Sequence, residues 1–236
     1  MAIKVIVTCE HAGNFVPAEY AGLFSGHKKL LNTHQGYDIG GRELFNCIAG
    51  EVADYRFSCG VSRLLIDMNR SLLNHSLFSS LTKNLSEKQK ERLRQKYYFP
   101  YRQRITALIE RLIAEHNTVI MLAVHTFTPV LHGKRRGADI GLLYDPRRKE
   151  EKRLCRSIRQ NLRVLLPELK IRFNYPYRGS SDGLAAYLRK RFPAAGYCGI
   201  ELEVNQKFSI SDKRQWQCMR KSIARSLRIT LPKLDI

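Results

Sequence analysis

Short β-branched segments alternating with amphipathic ones predict an α/β fold: a three-layer, mainly parallel mixed sheet with helices on both faces. Two further observations support it. The run 119–124 is apolar at every position, as a strand buried on both faces must be. The 236 residues carry no internal repeat and no low-complexity linker, so they suit one domain, 1–236.

Residues 3–9 (Ile-Lys-Val-Ile-Val-Thr-Cys) are short and β-branched, which predicts a first strand. Apolar spacing at Ile39, Leu44, Phe45, Ile48 and Val52 predicts a helix over 38–53, with Asp38 in its first turn. Residues 54–69 suggest one or two short strands turning near Gly60. Segment 86–116 reads as helix capped by Ser86, and Pro100 is expected to divide it in two. After the strand at 119–124 come a short strand at 139–144 and a basic amphipathic helix over 148–166, stopped by Pro167. A strand at 170–173, a helix at 182–192, a strand at 197–204 and a last helix at 212–231 complete the chain.

Composition narrows the function classes. No apolar run approaches the ~20 residues that span a bilayer. The N-terminus leads from one lysine through a short apolar run into Glu10-His11, a buried strand rather than a secretion signal, so a cytoplasmic location is expected. Cys9, Cys47, Cys59, Cys155, Cys198 and Cys218 are scattered with no CxxC pair, which argues against disulfides and against a thiolate zinc site. The net charge of +20 favours anionic partners. Its basic residues are spread along predicted helices, and no helix-turn-helix, zinc-finger or RNA-recognition signature accompanies them. Nucleic acid is therefore expected to bind only non-specifically, through charge. A non-catalytic module using that basic surface for nucleic acid or another anionic partner is the competing reading. A serine hydrolase lacks its Gly-x-Ser-x-Gly elbow here, and Cys9 at a strand end reads as a buried thiol.

In an open α/β sheet, ligands bind beyond the carboxyl ends of the strands. His11 follows the first strand, His125 follows the run ending at Val124, and Glu201 and Glu203 lie at the end of the strand at 197–204. Two imidazoles and a carboxylate from separate strand ends are the donor set of a catalytic zinc ion, which keeps a position open for water. The third donor is expected to be Asp38. Glu10 and His34 are the alternatives, Glu10 being disfavoured because neighbours on a strand point to opposite faces. In 62–70, Arg63 and Arg70 could clamp a substrate carboxylate in bidentate fashion, steadied by Asp67 and Asn69.

These segments occur in a specific order: 9–17 (Cys-Glu-His-Ala-Gly-Asn-Phe-Val-Pro), 37–40, 62–70, 125–129, 139–145, 174–177 with the following glycines, and 199–206. Together they resemble the N-formylglutamate amidohydrolase family over nearly the whole chain, with an architecture similar to that of zinc exopeptidases. The resemblance implies one zinc ion on His11, His125 and an acidic ligand mapped onto Asp38, with a late glutamate activating water. Glu203 fits that motif better than Glu201, because Asn205 and Gln206 follow it, although alternation puts both on one strand face. The implied reaction is hydrolysis of the amide of an N-acyl amino acid or a related small anion. Arg63 or Arg136 would face the oxyanion, and Asn14, Asn69, Arg70, Tyr177 and Arg178 would contact substrate. Members acting in histidine breakdown carry Pro before the first His, where this chain has Glu10. That departure implies a divergent branch and leaves the acyl group open.

Overall fold

The computed structural model describes residues 2–231. Its strands are β1 (Ile3–Cys9), β2 (Tyr55–Ser58), β3 (Thr118–Phe127), β4 (Val130–Leu131), β5 (Lys134–Arg135), β6 (Ile140–Leu143), β7 (Ile171–Phe173) and β8 (Tyr197–Asn205). The helices are α1 (Lys28–Leu31), α2 (Gly41–Val52), α3 (Glu87–Leu93), α4 (Phe99–Ala114), α5 (Lys149–Leu165), α6 (Leu184–Arg191), α7 (Lys207–Ile210) and α8 (Lys213–Thr230). Six strands form one sheet in the order β2-β1-β3-β8-β6-β7, and β4 and β5 form a separate hairpin. β2, β1, β3 and β8 run parallel, whereas β6 is antiparallel to β8 and carries β7 parallel to itself. The sheet is mixed and mostly parallel, as predicted.

From β1 the chain moves outward to β2, then returns to place β3 on the other side of β1. This reversal opens a crevice at the carboxyl ends of β1 and β3. One face of the sheet buries Val5, Val7, Ile120, Leu122 and Leu202 against α2, α5 and α8. The other buries Ile6, Val119, Met121 and Ala123 against Ile105, Ile109, Leu184 and Leu188 of α4 and α6. Each such aliphatic side chain contributes roughly 1.5–3 kcal/mol relative to exposure. A third cluster, including Leu64, Leu65, Ile66, Met68, Leu77 and Leu93, anchors the segment that crosses the crevice. Among the described residues no helix is long and apolar enough to cross a membrane.

Several expectations need correction. Pro100 does not divide 86–116: the chain passes from α3 through a widened π turn, Arg94–Tyr98, into α4 without leaving helical geometry. A wide turn relieves the crowding and lost bond that a proline imposes on the preceding turn. Ser86 caps α3 as expected, in a reciprocal box with Gln89. Segment 54–69 holds only β2, and 62–70 is a succession of turns. Helix α2 starts at Gly41, capped by Gly40 at φ 79°, so Asp38 lies ahead of the helix and does not cap it. A Cβ at Gly40 would collide with Ser209, which closes that position to larger residues.

Candidate metal centre

The strand ends deliver the side chains. β1 stops at Cys9, so Glu10 and His11 lie in a turn and are released from strand alternation. His125 is not beyond its strand but within β3, paired in register with Glu203 of β8. On both strands every second residue packs toward α4 and α6, so His125, Glu201 and Glu203 share that face. Asp38 is drawn in by its backbone N–H, which donates to the carbonyl of His11 at 3.0 Å.

The result is a buried trio. One ligand atom each of His11, Asp38 and His125 lies within 4.8 Å of the others. Asp38 Oδ2 is 2.9 Å from His125 Nδ1 and 3.7 Å from His11 Nδ1. Behind the rings, His11 Nε2 meets Asp67 Oδ1 at 2.7 Å, and His125 Nε2 lies 3.1 Å from Glu10 Oε2. Each imidazole thus turns Nδ1 inward and Nε2 toward a carboxylate, the support that metal-bound histidines receive. The buried His11 Nδ1 has no hydrogen-bond partner. An orphaned imidazole nitrogen beside a carboxylate fits a cation, since burial without a partner is otherwise unfavourable. Glu10 and His34, the other candidates, stand outside the trio.

The field is strongly polarised. Burial raises the Asp38 pKa, but Arg63, which donates to Asp38 Oδ1, and the two imidazoles outweigh it and hold the carboxyl well below its usual range. Burial alone would discharge His125, yet Asp38 and Glu10 push its pKa well up. Burial, with Asp38 and Glu201 nearby, lifts Glu203 to about 8, and burial also raises Glu201. Glu203 Oε2 is buried without a partner.

A cleft of about 410 Å³ opens over the trio. Arg63, Asn69, Arg70, Tyr177, Arg178, Glu201, Glu203 and His34 line it. The loop carrying Tyr177 crosses β6 at Gly141, where a Cβ would strike the Tyr175 carbonyl. Two residues depart. Asn14 is outside the lining: its Nδ2 donates to Leu31 O at 3.1 Å and Asn32 Oδ1 at 2.9 Å, so it ties a loop together. Arg136 also lies outside the lining and braces Tyr177, donating to its hydroxyl at 3.0 Å and stacking 4.9 Å from the ring centre. Asp67, expected to steady the arginines, holds His11 instead, and its Oδ1 also accepts from Asn69 N at 2.8 Å. The sequence reading missed Tyr101, whose hydroxyl donates to Glu10 Oε1 at 3.0 Å. The available signal was that each ligand histidine needs an outer acceptor, and Glu10 and Asp67 sit inside the two motifs.

Convergent imidazoles and carboxylates in a polar cleft at strand ends define a hydrolase-type site. The chain belongs to the N-formylglutamate amidohydrolase family, whose model matches residues 3–209. No curated protein sequence matches it. Among solved structures, a gene product of Agrobacterium tumefaciens superposes with TM-score 0.79 at 24% identity, covering 98% of this chain and 89% of that one. An N-formylglutamate amidohydrolase of Ralstonia eutropha gives TM-score 0.70 at 17% identity, covering 97% and 93%. At these identities the likeness establishes the fold.

Proposed function

We propose that this chain is a zinc-dependent amidohydrolase that cleaves the amide of an N-formyl-like N-acyl amino acid or related small anion. The observation that carries the reading is the buried His11–Asp38–His125 trio, with an orphaned His11 Nδ1, in a member of an amidohydrolase family. A zinc ion on these three residues supplies a Lewis acid for the carbonyl and brings the pKa of water to about 7.

The chain's own groups do the rest. In the metal-free protein burial and acidic neighbours push Glu203 up to about 8, so it keeps its proton at neutral pH. With a cation on the trio that value falls, and the carboxylate is free to take a proton from water. Glu203 holds that proton and returns it to the leaving amine as the carbon–nitrogen bond breaks. Arg63, beside Asp38, faces the negative oxygen of the tetrahedral adduct. Arg70 and Arg178 bind an anionic group of the substrate, with Asn69 and Tyr177 shaping its approach. A panel of N-acyl amino acids assayed with zinc-loaded protein tests the reaction, with release of the free amine expected for dicarboxylic members. His11→Ala and His125→Ala should lose zinc; full zinc occupancy in both would overturn the assignment.

A further inference from the structure

His125 needs a particular tautomer to serve as a ligand through Nδ1. That nitrogen must offer its lone pair inward, so the ring proton must sit on Nε2. Two groups face Nε2: Glu10 Oε2 at 3.1 Å and Asn69 Nδ2 at 3.5 Å. They ask for opposite tautomers. Asn69 can only donate here, because its Oδ1 is taken by the N–H of Leu184 at 2.6 Å, and a donor would leave the ring proton on Nδ1. Its contact is at the outer limit of a hydrogen bond, whereas Glu10 is a closer, pure acceptor. Glu10 is wholly buried, and its other oxygen accepts the Tyr101 hydroxyl at 3.0 Å. Tyr101 comes from α4, which packs against the face of the sheet that carries His125.

We propose that Glu10, steadied by Tyr101, is a positioning residue that fixes His125 with its proton on Nε2 and Nδ1 free for the ion. Asp67 does the same for His11 from the opposite side, so each imidazole has its own carboxylate. The proposal rests on the zinc reading above. It also gives a physical role to the glutamate that stands before the first histidine, where strand alternation argues it should face away.

The test is zinc affinity, measured by competition with a chromophoric chelator, together with the melting midpoint of the metal-free protein. Glu10→Ala should weaken zinc about 10–100-fold, the usual loss when an outer partner of a ligand is removed. Glu10→Gln, which retains an acceptor oxygen, should recover part of it, and Tyr101→Phe should lose less than Glu10→Ala. The metal-free midpoint should change little, whereas a purely structural role would lower the midpoint and leave affinity intact. Wild-type affinity in folded Glu10→Ala overturns the proposal while leaving the zinc reading in place. If that variant does not fold, Glu10→Gln and Tyr101→Phe decide, and wild-type affinity in both overturns it. Wild-type protein that takes up no zinc defeats both readings.

Discussion

Two buried charge clusters lie on the same sheet and are built on opposite plans. Between α5 and α6, Glu151 and Arg189 form an ion pair at 2.8 Å. Arg189 also donates to the carbonyls of Gly179 and Gly199, and Glu151 accepts the N–H groups of Asp145 and Gly199. Neither side chain keeps a buried atom without a partner. The cleft is the reverse. Glu10, Asp38, Asp67, Glu201 and Glu203 crowd carboxyls around two imidazoles, and His11 Nδ1 and Glu203 Oε2 lack hydrogen-bond partners. The first cluster is complete as protein. The second is crowded with carboxyls, imidazoles and arginines and keeps open polar atoms, which marks it as the reactive cluster of the two.

The largest effect should come from the incomplete cluster. Glu203→Gln should retain zinc, read by metal analysis, yet lose about 10²–10⁴-fold in turnover. Its effect on stability should have the opposite sign. With the Glu203 pKa raised in the folded state to about 8 from 4.5, the metal-free fold binds more protons than the unfolded chain between those values. The contribution of Glu203 is therefore full below pH 4.5 and is lost as pH rises toward and through 8. Glu203→Gln should flatten that decline in denaturant melts taken across the window, and an unchanged slope would move its origin to another group.

Arg189→Ala tests the complete cluster. Removing one partner leaves Glu151 as an uncompensated buried charge, which costs about 3–5 kcal/mol. A urea midpoint within error of wild type would show that the pair contributes nothing and would break the comparison.

The two clusters also differ in how legible they were. The sheet could be read from β3, apolar throughout, and from β1, because a strand buried on both faces has no other pattern. Ser86 and Asp212 each announce a helix start, and both cap one. His11 and His125 could be singled out by their positions near strand ends, whereas Asp38, in the loop between α1 and α2, came with the family resemblance. What escaped depended on single-residue boundaries. Whether Glu10 faces toward or away from His125 turns on β1 ending at Cys9, since one residue of slip reverses a face. Asp38 was expected in the first turn of a helix, and the left-handed turn at Gly40 places it ahead of α2 instead. The Glu151–Arg189 pair joins residues 38 apart on two helices, with no local pattern to mark it.

Metal should act on the cleft alone. Zinc at 100 times its dissociation constant should stabilise the fold by about 2.7 kcal/mol, provided the unfolded chain does not bind it. Thermal melts with zinc and with chelator should show this shift in wild type and in Glu203→Gln, but not in His11→Ala. A shift that persists in His11→Ala would place the ion elsewhere.

The smallest effect separates the cleft's rim from its floor. Arg136 braces Tyr177 by one hydrogen bond and one stacking contact, and its guanidinium lies 5.6 Å from the centre of the Phe127 ring at the cleft wall. An exposed cation–π contact contributes about 0.5–1 kcal/mol, a few-fold in binding. Arg136→Ala should therefore raise KM a few-fold with kcat unchanged, because Tyr177 loses its brace while His11, Asp38, His125 and Glu203 stay in place. A fall in kcat matching that in kcat/KM would mean that Arg136 touches the reacting atoms and belongs with the floor.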